Sequence, residues 1–238
     1  MSLLSVAGLR VSIGGSQILH GVSFEVPENG VTVLLGRNGV GKTTTLKAIL
    51  GLVPADGSVT FDGASMGQSR TYERVRRGLG YVPEDRGVFA GLTVAENLRL
   101  AERRGQKPDY DTVYSLFPEL SARGRQRAGT LSGGQQQMLA IGRVLLRPNR
   151  LLLVDEPTKG LAPRIVTDVA DVLSRVAESV PILLVEQNLA LVRRVGGDAV
   201  VLAAGAVAHQ GPVRELLADE ELTRSLLGVG HHHRRAVA

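Results

Sequence analysis

Gly36-Arg37-Asn38-Gly39-Val40-Gly41-Lys42-Thr43 fits the pattern G-x-x-x-x-G-K-[ST]. It stands between an apolar run, Val31-Thr32-Val33-Leu34-Leu35, and a helix-forming stretch from Thr43 to Leu50 that Gly51 and Pro54 bring to a stop. In the order strand, glycine loop, helix, successive backbone N–H groups converge at a helix N-terminus, where the aligned peptide dipoles favour an anion. Lys42 adds a positive charge, and the Thr43 hydroxyl is an oxygen ligand of the kind Mg²⁺ takes. Gly36, Arg37, Asn38, Gly39, Val40, Gly41, Lys42, Thr43 and the adjoining Thr44 are therefore the candidate phosphate contacts.

Upstream of this loop the chain reads as short β segments, Leu9-Ile13 and Ile18-Val26, broken by Gly14-Gly15-Ser16 and Pro27-Glu28-Asn29-Gly30. Downstream comes a small hairpin around Gly57-Phe61, then helical periodicity over 71–79 and, rich in arginine, over roughly 93–147. Leu151-Val154 and Ile182-Val185 have the unbroken apolar character of parallel strands buried on both faces. Two strands, Ala199-Ala203 and Ala206-Gln210, and a helix over 212–227 complete the pattern. A helical insert thus interrupts an α/β core, and the tail beyond Gly228, with His231-His232-His233, is expected to be flexible.

Composition narrows the classes. At 238 residues, 43% hydrophobic and 21% charged, the chain has the make-up of a folded protein with a sizeable core. Without cysteine it has no disulfide, thiolate metal site or cysteine nucleophile. The N-terminus lacks the pattern of a signal peptide, and the longest apolar blocks are only strand-sized, so work at a membrane would need another chain to cross it. A net charge of +5 admits an anionic partner, yet 3% aromatics and no Trp leave little for stacking single-stranded nucleic acid.

Two further segments carry chemistry. Leu151-Leu152-Leu153-Val154-Asp155-Glu156 is a buried strand ending in two acids. At the C-terminal end of a parallel strand Asp155 could hold Mg²⁺ through water while Glu156 polarises an attacking water. Leu131-Ser132-Gly133-Gly134-Gln135 opens a helix with a capping serine. In this order the three segments resemble those of ABC-type ATPases, and the likeness runs from about Leu3 to Gly228.

The resemblance implies an α/β phosphate-loop NTPase core with a mostly parallel sheet and an N-terminal antiparallel β part, over 1–85 and 148–228. It also implies an inserted helical subdomain over 86–147, which would meet a transmembrane partner, with 229–238 as a flexible tail. It implies ATP and Mg²⁺ as cofactors and a head-to-tail dimer, with itself or with a sister ATP-binding subunit. Ser132, Gly133, Gly134 and Gln135 would meet the γ-phosphate across that interface. Four stretches narrow the match: Pro83-Glu84-Asp85-Arg86-Gly87-Val88-Phe89 ahead of Leu92-Leu98, Gln126-Ala140, Glu156-Pro157-Thr158-Lys159-Gly160-Leu161-Ala162-Pro163, and Val185-Glu186-Gln187-Asn188. They are similar to the smaller ATP-binding subunit of bacterial branched-chain amino acid importers, with urea and short-chain amide importers close by. The expected partners are two transmembrane permease subunits and an extracytoplasmic solute-binding protein, at the cytoplasmic face of the cell membrane, with no nucleic acid.

Against the general family pattern Ile13 stands in place of an adenine-stacking aromatic, Glu84 in place of a glutamine that meets the metal, Ala162 in place of an aspartate and Gln187 in place of the switch histidine. Gln187 keeps a γ-phosphate contact through its amide but loses a titrating ring. The expected metal set is Thr43, Glu84 and Asp155, and the expected catalytic pair is Glu156 and Gln187. A two-cassette factor acting on ribosomes or DNA fits less well, because the chain has one Ser-Gly-Gly signature and no room for a long insert. Gly63-Ala64-Ser65-Met66-Gly67 formally matches a nucleophile elbow but lacks a helix directly behind it.

Overall fold

The computed structural model describes residues 2–103 and 105–228; Arg104 and the tail expected over 229–238 lie outside the described residues. The chain begins with β1 (Ser2–Ile13), β2 (Ser16–Pro27) and β3 (Val31–Leu35), followed by α1 (Lys42–Leu50), β4 (Asp56–Phe61), β5 (Ala64–Ser65), α2 (Thr71–Arg76) and β6 (Leu79–Val82). A helical stretch follows: α3 (Val94–Arg99), α4 (Tyr110–Leu116), α5 (Pro118–Ala122), a 3₁₀ turn at Ala128–Thr130 and α6 (Gly133–Leu145). The chain closes with β7 (Leu151–Asp155), α7 (Pro163–Ala177), β8 (Ile182–Val185), α8 (Leu189–Val195), β9 (Asp198–Ala203), β10 (Ala206–Pro212), α9 (Val213–Ala218) and α10 (Glu220–Leu227).

Two sheets result. One is antiparallel in the order β2-β1-β4-β5; the other runs β10-β9-β3-β8-β7-β6. In the second, β9, β3, β8, β7 and β6 are parallel and only β10 is antiparallel. The unbroken apolar strands serve two cores at once. Val31, Val33, Leu35, Leu152, Val154, Ile182 and Leu184 face the helices, whereas Leu34, Leu151, Leu153, Leu183 and Val185 face the antiparallel sheet and α1. With a side-chain period of two, each strand buries both faces, which is why no polar alternation marks them.

The helical stretches are shorter than their sequence periodicity suggests. The stretch over 71–79 is a short helix that gives way to β6, because the backbone must re-enter the sheet beside Leu151-Val154. The helical periodicity over 93–147 is divided among four helices and a 3₁₀ turn. Thr93, Asp109 and Ser132 each cap a new helix start with a side-chain oxygen, and Pro118 begins α5. The C-terminal helix over 212–227 is likewise split, since Asp219 accepts from the Leu222 N–H and starts α10.

Candidate nucleotide-binding site

Parallel pairing sets the C-terminal ends of β3, β6, β7 and β8 along one edge, and the loops leaving them carry the chemistry. After β3 the chain turns through Gly36, Gly39 and Gly41, whose φ angles of 147°, 80° and 102° suit glycine. A Cβ at Gly36 would stand 2.5 Å from the Leu202 carbonyl oxygen, and one at Gly41 would stand 2.4 Å from Leu19 Cδ2. The α1 start has glycine at its N-cap, no side-chain cap and no acid in its first turn, so its first N–H groups remain for an outside anion.

Lys42, 4% exposed, donates to the carbonyls of Gly36 at 2.9 Å and Arg37 at 3.1 Å and lies 3.5 Å from Glu156 Oε1. Burial holds its ammonium below the usual lysine range, and the Glu156 carboxylate opposes that shift. The Arg37 side chain is exposed, and its guanidinium lies against the C-terminal end of α10 at Gly228. Thr43 Oγ1 donates to Asp155 Oδ1 at 3.0 Å, and the Tyr81 hydroxyl approaches Oδ2 at 3.4 Å. Burial is the main cause that pushes the Asp155 carboxyl up to about 6, with the Glu156 and Glu84 charges adding to it and the Thr43 hydrogen bond opposing it. Burial also raises the Tyr81 phenol, so it stays a neutral donor.

Glu156 adopts φ 42°, the left-handed region a non-glycine residue rarely enters. Its N–H donates to the Val185 carbonyl at 2.9 Å. The Gln187 side-chain amide spends both hydrogens, one on Glu156 Oε1 and one on Asn38 Oδ1, each at 2.5 Å. Lys42, Glu156, Gln187 and Asn38 thus form one connected group, and the Thr43–Asp155 pair stands beside it, joined through the backbone neighbours Lys42-Thr43 and Asp155-Glu156. Thr43 and Asp155 are hard oxygen donors side by side, a set that suits Mg²⁺. Glu84 instead pairs with Lys159, whose ammonium also lies 3.9 Å from Glu156 Oε2.

Other expected residues stand apart. Ile13 is exposed at the tip of the β1–β2 hairpin. Ser132 and Gln135 close a capping box, Ser132 N–H donating to Gln135 Oε1 at 3.0 Å, and Gln135 also donates to Glu119. Gly134 is buried, a Cβ there standing 2.5 Å from Ile165 Cγ2, so α6 starts tight against α7. Ser65 lies on β5 with no helix directly behind it, so the elbow match carries no nucleophile geometry. Tyr81, Lys159 and Glu186 were not among the expected site residues. A charged residue directly after the four-residue apolar block Ile182-Val185 repeats the pattern at Asp155 and was the available signal for Glu186.

Such an edge places the chain among phosphate-loop nucleotide triphosphatases as a class. Within that class it belongs to the ABC transporter family, whose model matches residues 19–159, and it is an ATPase of that type. It is 38% identical over 232 residues to the high-affinity branched-chain amino acid transport ATP-binding protein BraG of Pseudomonas aeruginosa, covering 95% of this chain and 100% of that one. It is 36% identical over 234 residues to a probable branched-chain amino acid transport ATP-binding protein LivF of Archaeoglobus fulgidus, covering 95% and 99%. A nucleotide-free ATP-binding cassette from an ABC transporter shares the fold with a TM-score of 0.82 at 25% identity, over 97% of this chain and 100% of that one. Among the described residues no helix is long and apolar enough to cross a membrane.

Proposed function

We propose that the chain is the ATP-hydrolysing subunit of an importer for branched-chain or other hydrophobic amino acids. It acts at the cytoplasmic face of the membrane beside two permease subunits, with an extracytoplasmic solute-binding protein delivering the cargo. The observation that carries this is end-to-end similarity to BraG and LivF. Glu156 within reach of both Lys42 and Gln187 supports the hydrolytic part.

In the proposed reaction the N–H groups from Gly36 to Thr44 and the Lys42 ammonium hold the phosphates, Lys42 exchanging its loop carbonyls for phosphate oxygens. Thr43 and Asp155 would hold Mg²⁺, with Glu84 available once it leaves Lys159. When bound, Mg²⁺ supplies positive charge to the phosphate oxygens. Glu156 orients the attacking water and accepts its proton. Gln187 holds Glu156 with one amide hydrogen and, on leaving Asn38, turns the other to the γ-phosphate. Ile13 offers the adenine an apolar contact without a ring face. Ser132, Gly133, Gly134 and Gln135 act on the nucleotide of a second copy or of a sister subunit, again from a helix N-terminus. The helices over 86–147 form the unit that meets the permease.

The test is mass spectrometry of the proteins that co-purify, in mild detergent with ATP, with tagged Glu156→Gln protein from its own cells. Two polytopic membrane chains support the importer; ribosomal or DNA-repair proteins without membrane chains overturn it. Uptake of labelled leucine against labelled urea in cells lacking this chain then separates the amino acid reading from the amide reading.

A further inference from the structure

Glu186 is a carboxylate with 3% exposure at the end of β8, and neither lysine of the site pairs with it. Its charge is met by four hydrogen bonds from two loops. Oε1 accepts from the Thr158 N–H at 3.3 Å and from the Thr158 hydroxyl. Oε2 accepts from the N–H groups of Gln187 at 2.5 Å and Asn188 at 2.7 Å. Thr158 is itself buried and lies two residues beyond Glu156, in the turn that Glu156 enters with φ 42°. A backbone held in that region persists only where its surroundings over-determine it.

We propose that Glu186 is a positioning residue for ATP hydrolysis, clamping the loop after Glu156 to the loop that carries Gln187. One oxygen fixes the first loop and the other fixes the second, so the carboxylate sets the separation between the Glu156 carboxylate and the Gln187 amide. The backbone bond from Glu156 N–H to Val185 adds a second tie across the same gap. Asn188, its N–H on Oε2, turns its side chain forward to cap α8 through the Ala190 and Leu191 N–H groups. The clamp is thereby anchored to a helix as well as to two strands. An ionised carboxylate suits the task because all four groups that face it are donors, whereas an amide would turn its own N–H₂ toward two of them. The proposal rests on the assignment of Glu156 and Gln187 above.

The test compares steady-state ATP hydrolysis by Glu186→Gln, Gln187→Ala and the double variant, each in the assembled complex, with ATP binding measured in parallel. The expected result is a kcat for Glu186→Gln reduced by about tenfold or more with KM changed less than about twofold. In the Gln187→Ala background the same change should cost less than about twofold more, since the group it positions is gone. Hydrolysis by Glu186→Gln within about twofold of wild type, a proportional loss of ATP binding, or full multiplicativity in the double variant overturns the proposal. Should Glu186→Gln not fold, Thr158→Val removes one donor from the same oxygen and Thr158→Ser restores it. A kcat lost in the first and recovered in the second is expected; equal activity in both refutes the clamp. Glu156→Gln serves as the control: if it keeps turning over, the site assignment fails, while a dead Glu156→Gln beside a normal Glu186→Gln sinks the clamp alone.

Discussion

A single methyl group is enough to test the phosphate loop. At Gly36 it would meet the Leu202 carbonyl at 2.5 Å with φ at 147°, so Gly36→Ala must shift either the loop or β9. We expect ATP affinity to fall by at least about tenfold, read by equilibrium binding, while the urea midpoint of unfolding moves by about 1–2 kcal/mol equivalent. Asp155 makes a second prediction at this scale. Its carboxyl is pushed up to about 6 from an ordinary 3.8, so the folded chain binds this proton more tightly than the unfolded chain does. The contribution of Asp155 to stability therefore falls as pH rises from about 4 to about 6 and is level above that. Mg²⁺ needs the ionised form, so the Mg²⁺-dependent part of ATP binding should weaken toward about tenfold per pH unit below pH 6. Titrations with and without Mg²⁺ from about pH 5 to 8 check it; Asp155→Asn should abolish both the dependence on Mg²⁺ and its pH profile.

Among the elements, α1 is fastened at its far end by Arg74, 7% exposed, whose guanidinium donates to the carbonyls of Ala48, Ile49, Met66 and Ser69. A cation at a helix C-terminus also meets the favourable end of the dipole. Arg74→Met takes away the side-chain donors of the Ile49 and Ser69 carbonyls, whereas Ala48 and Met66 keep the Gly51 and Ser69 N–H groups, and should cost about 2–4 kcal/mol in urea unfolding, with the m-value unchanged. Nothing in the spacing of Thr71-Arg77 announced this role, because periodicity reports which face is apolar and not where a long side chain folds back. The strand β6 was hidden for a related reason: Leu79-Gly80-Tyr81-Val82 is four residues long and contains a glycine. Gly80 is there for packing, since a Cβ would stand 2.6 Å from both Asn149 Oδ1 and Leu152 Cδ2. By contrast β3, β7 and β8 were legible as apolar blocks, and α1 and α6 were legible from Gly51 and Ser132. The phosphate loop, Asp155 and Glu156 could be read from local order alone. Glu186 and Lys159 could not be assigned partners that way, because their contacts join segments far apart in sequence.

For the whole molecule, Ser132–Gln135 and the phosphate loop make no hydrogen bond with each other within one chain, and in the proposed cycle they meet only between two subunits. ATP should therefore drive pairing, visible by light scattering as a shift from one subunit to two with Glu156→Gln protein, or as retention of a sister subunit. Ser132→Ala, which removes the cap of α6, should weaken that pairing while leaving ATP binding to the single subunit unchanged. The most direct measurement is ATP bound and ATP hydrolysed by Glu156→Gln in the assembled complex beside wild type. Full nucleotide occupancy with turnover reduced by about a thousandfold or more is the predicted result. Turnover within about threefold of wild type at the same occupancy would contradict the account, because the carboxylate that ends β7 would then have no part in hydrolysis.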